Sequence, residues 1–261
     1  RQMCIRDRDY VAEVSEKTGE FLEIVNFNLS GQQYAVAGTT AGMEALEKDA
    51  NARAAAAGGR GAFMLIPGID VPFHSAVLHE GVPDFRQRLQ ELLPAQVDYQ
   101  VLQGRYIPNL VALPFALTKS FAESILAVVP SEPIQDALAN WEAWEAKPAQ
   151  LTRLLLVELL CWQFASPVRW IETQELLFTP TNQGGLGTEH YVEVGLGTSP
   201  TLANLAAKTL ALPTFAGATA EVYNVQRDEK LVYHEDVQII QSAEEDLDEA
   251  SPAEALSLIH I

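Results

Sequence analysis

Residues 21–28, Phe-Leu-Glu-Ile-Val-Asn-Phe-Asn, alternate apolar and polar side chains, the period of a strand with one covered face. Ser30-Gly31 follows as a turn, and Gln33-Tyr-Ala-Val-Ala alternates again, so the pair reads as a hairpin. An isolated hairpin is marginal in water, and its apolar face demands cover from nearby chain. The flanks supply that cover. Asp9–Lys17 reads as the end of a helix, stopped by Gly19, and Thr39/Thr40 begin an alanine-rich helix to about Ala57, closed by Gly58-Gly59. Ala62-Phe-Met-Leu-Ile then reads as a buried strand. Helix, strand, turn, strand, helix, strand is most of a split βαβ, ferredoxin-like unit that lacks its first strand.

Beyond Pro67-Gly68 the pattern changes. Ser75–Leu93 carries apolar residues at helical spacing, and short apolar strands are expected near Tyr99–Leu102 and Ile107–Val111. Helices are expected at Phe121–Val128, Pro133–Trp144, Gln150–Trp162 and Pro167–Leu177, the last with proline in its first turn. A strand at 190–194, a glycine-rich turn, a helix from Ser199 to Leu210, and weak strands at Glu221–Val225 and Leu231–Tyr233 complete the pattern. Ala243–Glu254 holds six acids among twelve residues and no apolar period, which reads as a solvated linker.

Charge narrows the function classes. The 261 residues carry a net charge of −18. A phosphate-backbone binder needs a basic face, so nucleic acid and anionic membrane are poor partners for this chain. Residues 226–261 hold ten acids against two bases, a far denser excess than the body carries. No apolar stretch reaches the roughly 20 residues of a membrane span. Two cysteines, Cys4 and Cys161, make neither a disulfide framework nor a metal cluster, and a reduced cytoplasmic setting is expected. Residues 1–8 and 257–261 continue no neighbouring pattern and read as adaptor sequence, so the chain is expected to be a fragment of something longer.

Among five histidines, His74 stands apart. It sits in Pro67-Gly-Ile-Asp-Val-Pro-Phe-His-Ser, where a strand gives way to a helix. Two prolines stiffen the approach and Phe73 supplies an apolar wall. A helix N-terminus favours neutral imidazole, the form a general base needs. A packed loop histidine is the competing reading. His79, His190, His234 and His260 read as solvated surface. Ser75, next to His74, reads as a helix cap rather than a nucleophile. No Gly-x-Ser-x-Gly elbow occurs in the chain. His74 and His79 are five apart, off the four-residue spacing of a helical zinc pair, so no metal is expected. The glycine-rich stretches at 184–187 and 195–200 fit no phosphate cradle and read as turns.

Val25-Asn-Phe-Asn-Leu-Ser-Gly-Gln-Gln-Tyr-Ala-Val-Ala-Gly, then Ile66-Pro-Gly-Ile-Asp-Val-Pro-Phe-His-Ser, Gly104-Arg-Tyr-Ile-Pro-Asn-Leu-Val and Trp162-Gln-Phe-Ala-Ser-Pro-Val-Arg-Trp resemble the acyltransferases of fatty acid and polyketide synthases. The resemblance covers roughly residues 10 to 236, and is similar in detail to the malonyl/palmitoyl transferase region of the bacterial, actinobacterial-type type I fatty acid synthase. It implies an α/β fold: an α/β-hydrolase-like core, here partial, with a ferredoxin-like subdomain. By resemblance, a serine takes an acyl group from coenzyme A and passes it to the phosphopantetheine thiol of an acyl carrier protein. His74 matches the catalytic base, and Gln163 the position whose backbone carbonyl orients it. Phe73 and Asn28 match substrate-binding positions. No cofactor is held by this segment itself.

The nucleophilic serine and the arginine that pairs with the malonyl carboxylate lie upstream in such enzymes and have no match in this chain. Arg169 and Arg105 are substitutes only in principle, since both sit in motifs suited to packing or surface. The expected organisation is adaptor sequence at 1–8, ferredoxin-like subdomain at 9–72, acyltransferase core at 73–225, exit segment at 226–242, and acidic linker and tail at 243–261. Expected partners are malonyl and long-chain acyl-CoA, a carrier-protein domain in the same polypeptide, and other synthase domains in a homo-oligomer. A non-catalytic docking or scaffold module of the same fold, and a free-standing hydrolase, are the alternatives.

Overall fold

The computed structural model describes residues 2–59, 61–66, 68–195 and 200–233. The acidic stretch 243–254, the tail, the end of the exit segment, His234, His260 and most of the glycine turn at 195–200 lie outside the described residues. The chain forms two compact units, Arg1–Leu177 and Phe178–Ile261.

The first unit opens with α1 (Gln2–Thr18), whose latter part is the helix end expected at Asp9–Lys17 and which stops where Gly19 turns left-handed at φ 68; residues 2–8, read as adaptor sequence, continue the same helix. Strands β1 (Leu22–Leu29) and β2 (Gln33–Gly38) pair antiparallel, joined at Gly31 with φ 67. Helix α2 (Thr40–Ala56) starts where the Thr39 hydroxyl accepts from the Gly42 amide at 3.1 Å. Val11 and Val14 of α1, Leu22, Ile24 and Phe27 of β1, and Leu46 of α2 bury one another, with Ile171 from far along the chain. The hairpin therefore obtains its cover from the two flanking helices.

The third expected strand does not form. Residues 61–66 are irregular coil without a ladder partner, and Met64 is 83% exposed. Their apolar character would suit a strand buried on both faces, but among the described residues no neighbouring strand offers the hydrogen bonds. Ile69, Val71, Phe73 and Val77 prolong this exposed apolar strip.

A helical layer follows. A 3-10 turn at Ala76–Gly81 leads into α3 (Val82–Leu92), so the expected Ser75–Leu93 helix is split, with Pro83 in the first turn of α3. Helices α4 (Lys119–Leu126) and α5 (Glu132–Ala139) start at Thr118 and Ser131, whose hydroxyls accept from the Phe121 and Ile134 amides. Asn140 breaks the expected Pro133–Trp144 helix into α5 and α6 (Trp141–Glu145). Helix α7 (Pro148–Gln163) is the centre of the layer; Leu151, Leu155 and Leu159 are buried against Val82, Leu110, Phe115, Phe121, Ile125 and Ile134. Tyr99–Val101 is a 3-10 turn capped by Asp98, not a strand. Ile107–Val111 is likewise no strand: Pro108 starts a turn that drops Leu110 and Val111 into the core.

Pro167 does not open a helix. Val168 instead bridges β1, its carbonyl accepting from the Phe27 amide at 3.0 Å and its amide donating to Val25 at 2.8 Å. Helix α8 (Trp170–Phe178) starts only afterwards.

In the second unit, β3 (His190–Glu193) pairs parallel with β4 (Glu221–Asn224), and α9 (Thr201–Leu210) packs on both. The Glu193 carboxylate accepts from the Leu202 and Ala203 amides in the first turn of α9. Asn224 is buried, its side-chain NH2 donating to the Gly195 carbonyl and its side-chain oxygen accepting from the amides of Gln226 and Arg227. Leu231–Tyr233 is not a strand; α10 (Glu229–Val232) closes one helical turn onto the Asp228 carbonyl.

Candidate functional site

His74 occupies a left-handed backbone conformation, φ 64, which a non-glycine residue adopts only under constraint. The constraint is visible. Its amide donates to the Phe164 carbonyl at 2.6 Å, and its ring Nδ1 lies 2.8 Å from the Gln163 carbonyl. Main chain and imidazole are thus both tied to the end of α7, which is 89 residues away in sequence. The Gln163 side chain takes no part, and its amide nitrogen is buried without a hydrogen-bond partner.

A carbonyl can only accept, so the contact requires the proton on Nδ1. In neutral imidazole that leaves Nε2 with the lone pair, the atom that can take a proton from a nucleophile. The orientation comes from this carbonyl and not from a helix dipole, because the helix that follows is a short 3-10 turn beginning at Ala76.

The neighbours of His74 are fixed separately. Ser75 is fully buried, and its hydroxyl donates to the Pro72 carbonyl at 2.6 Å instead of capping the next turn. That capping duty passes to Glu23 of β1, whose carboxylate accepts from the Ala76 amide at 2.9 Å. Phe73 is 52% exposed, adjoining the imidazole along the chain. Asn28 is half-buried on β1, where its carbonyl accepts from the Gln174 side chain at 3.0 Å. The structure therefore brings His74 and Gln163 into direct contact and holds Asn28 through a different set of bonds.

A cavity of about 660 Å3 lies within the first unit, with Glu23, His79, Ser166 and Arg169 as its polar lining and Leu22, Phe27 and Leu110 among its apolar walls. Asn28, Phe73, His74 and Gln163 are outside that lining. Arg169 pairs with Glu172, its NH2 at 2.7 Å from the carboxylate, so part of its charge is already engaged. Arg105 is exposed. His79 is exposed as expected, yet its ring meets Trp162 edge to face at 5.3 Å. His190 is exposed, 3.4 Å from the Glu221 carboxylate. Among the described residues no cluster of three or more His, Cys, Asp or Glu is arranged to hold a metal, and no helix is long and apolar enough to cross a membrane.

One partner of His74, and one buried acid elsewhere on α7, lie beyond what the motifs point to. The Phe164 carbonyl is a main-chain atom with no side-chain signature. Glu158 could have been flagged, being an acid inside the otherwise apolar face of α7, where it is fully buried. Cys161, one turn on, is buried as expected, and burial pushes its thiol up to about 12.

No protein-family model matches the chain. In sequence it is 37% identical over 233 residues to fatty acid synthase 2 of Mycosarcoma maydis, a match covering 77% of this chain and 6% of that protein. It is 33% identical over 178 residues to the fatty acid synthase subunit beta of Saccharomyces cerevisiae, covering 52% of this chain and 9% of that one. These relatives are fungal, so they do not bear out the actinobacterial type expected from the motifs. In fold, it superposes on FabD from Acinetobacter baumannii with a TM-score of 0.51 at 20% identity, covering 90% of this chain and 55% of that chain. The malonyl CoA-acyl carrier protein transacylase from Clostridium perfringens gives 0.52 at 17%, covering 90% and 56%. The chain thus spans a small part of the synthases and about half of the transacylases it matches. By sequence it is similar to one stretch of the fatty acid synthases, and by fold to the malonyl CoA-acyl carrier protein transacylases.

Proposed function

We propose that this chain contributes the general base of a fatty acid synthase acyltransferase, one that moves malonyl and palmitoyl groups between coenzyme A and acyl carrier protein. The observation that carries the reading is the His74–Gln163 contact, which leaves Nε2 free to act as base. In the reaction, Nε2 takes the hydroxyl proton of a serine supplied by another part of the enzyme as that oxygen attacks the thioester carbonyl. The carbon–sulfur bond breaks as the imidazolium returns that proton to the leaving sulfur, so coenzyme A departs as a thiol. The second half-reaction reverses these roles, with the phosphopantetheine thiol giving its proton to Nε2 and attacking the acyl-serine; the acyl carbon–oxygen bond breaks and the serine oxygen takes the proton. The Gln163 carbonyl stabilises the imidazolium formed in between, the duty a carboxylate performs in a Ser-His-Asp triad.

In this reading residues 9–72 are the ferredoxin-like subdomain and 73–225 belong to an α/β-hydrolase-like core. The exposed strip from Met64 to Phe73 would be covered by the remainder of that core. Phe73 and Asn28 would face the acyl substrate. The nucleophile and the carboxylate-binding arginine would be supplied outside this chain, so the chain alone would not transfer acyl groups.

The test is carrier loading by a synthase containing this chain. His74→Ala should lower loading by roughly 100-fold or more, because the base serves both half-reactions. A loss below about tenfold would show that His74 is not the base. Acyl-serine formed on the isolated chain would refute its dependence on an outside nucleophile.

A further inference from the structure

The two segments that meet at His74 are joined a second time, deep in the helical layer. His74 leads through the 3-10 turn into α3, which carries Arg86; Gln163 ends α7, which carries Glu158. The Arg86 guanidinium grips the Glu158 carboxylate with two bonds, Nε to Oε1 at 2.6 Å and NH2 to Oε2 at 3.0 Å. The same carboxylate accepts from the Ser131 hydroxyl at 2.7 Å and from the Trp162 indole nitrogen at 3.2 Å. Glu158 is thereby a fully buried anion satisfied from α3, α5 and its own helix. Trp162 immediately precedes Gln163 and meets His79, and the Phe164 ring meets Phe85 edge to face at 5.3 Å. A carbon atom added at Gly81 would sit 3.3 Å from the Phe164 ring, so the approach of the two segments is close.

We infer that Glu158 is a positioning residue for His74: its bonds to Arg86, Ser131 and Trp162 set the register of α3 against α7 and so aim the Gln163 carbonyl at the imidazole. The inference rests on the base assignment above. Apolar contact alone would hold the two helices together, but it is non-directional and tolerates sliding. A bidentate guanidinium–carboxylate fork is planar and directional, and it fixes both distance and angle. Ion pairs of this kind are poor evidence of stabilisation, since apolar replacements of similar volume often stabilise as well or better. That property separates the two roles experimentally.

The measurement is the tautomer of His74 in the full chain, read from its ring-nitrogen NMR shifts above the imidazole titration. Wild type should show the single tautomer protonated on Nδ1. Glu158→Gln keeps the shape but turns one acceptor oxygen into an NH2 donor among the Arg86, Ser131 and Trp162 donors, so the preference should fall by twofold or more, and an unchanged ratio in the folded variant overturns the inference. The paired substitution Arg86→Met with Glu158→Leu removes both charges together and leaves only the Ser131 and Trp162 donors without their acceptor, so it should still fold, with a lowered urea midpoint, and lose the preference roughly fivefold or more. A folded double variant with an unchanged tautomer ratio overturns the inference and leaves the ion pair a structural element only. Should the double variant not fold, Trp162→Phe carries the test: it removes one donor to Glu158 while keeping an aromatic ring toward His79. A shift of the tautomer ratio by twofold or more supports the brace, and an unchanged ratio overturns it. Wild type without the Nδ1 proton would instead overturn the base assignment itself, so the two failures are distinguishable.

Discussion

The left-handed backbone at His74 makes an unusual sign prediction for two substitutions at one position. His74→Ala and His74→Gly both lose the imidazole bond to the Gln163 carbonyl, so that loss cancels between them. Both retain the amide that donates to Phe164. What differs is the backbone. At φ 64 a Cβ costs roughly 1–2 kcal/mol, which alanine bears and glycine does not. Glycine gives back roughly 0.5–1 kcal/mol through the greater freedom of its unfolded chain. The balance leaves His74→Gly the more stable variant by about 0.75 kcal/mol at the centre of a span of roughly 0–1.5 kcal/mol, from the difference of those two effects. At an ordinary loop position the order is reversed. Urea titration followed by tryptophan fluorescence suits the comparison, because all four tryptophans, at 141, 144, 162 and 170, lie in the first unit. Equal denaturant slopes are needed for the midpoints to be compared. Alanine equal to or more stable than glycine would refute the left-handed geometry, and with it the account of how the ring is turned back onto α7.

Two further outcomes follow from buried groups elsewhere. Burial holds the Cys161 thiol at about 12 against an ordinary 9.0, so iodoacetamide at pH 8.5 should leave the Cys161 peptide unmodified by mass and label it fully in urea. Because the folded value lies above the unfolded one, this thiol's stabilising contribution is present below about pH 9 and declines as pH rises toward about 12; stability that rose over that span would contradict it. In the second unit, Glu193→Ala removes the acceptor shared by two α9 amides and should cost about 0.5–2 kcal/mol. Faster hydrogen exchange at Leu202 and Ala203 would report it, with Glu193→Gln intermediate; unaltered exchange in Glu193→Ala would contradict it.

The elements legible in the sequence are those whose cause is local. Strand alternation in β1, the Gly31 turn, the Thr39 cap and the apolar period of α7 each lie within a few residues of what they specify. Elements misread are those decided by a distant partner. Ala62–Ile66 has strand composition but no ladder partner, and Ile107–Val111 is apolar because a turn plugs the core with Leu110 and Val111. Pro167 reads locally as a helix start, yet Val168 is claimed by β1. The site divides in the same manner. His74 stands out through its proline-flanked setting, and Gln163 through resemblance to acyltransferases. The Arg86–Glu158 pair spans 72 residues of chain, and only its out-of-place carboxylate leaves any trace in the sequence.

The bridge between β1 and Val168 also bears on when this structure can form. Phe27 and Val25 obtain their partners from Val168, and Asn28 obtains its own from Gln174, 146 residues further on. At 5–20 residues per second, a ribosome emits that interval in roughly 7–30 s. Through that time the nascent hairpin keeps hydrogen-bonding groups open on one edge, a period in which a chaperone or a neighbouring nascent chain can reach them first.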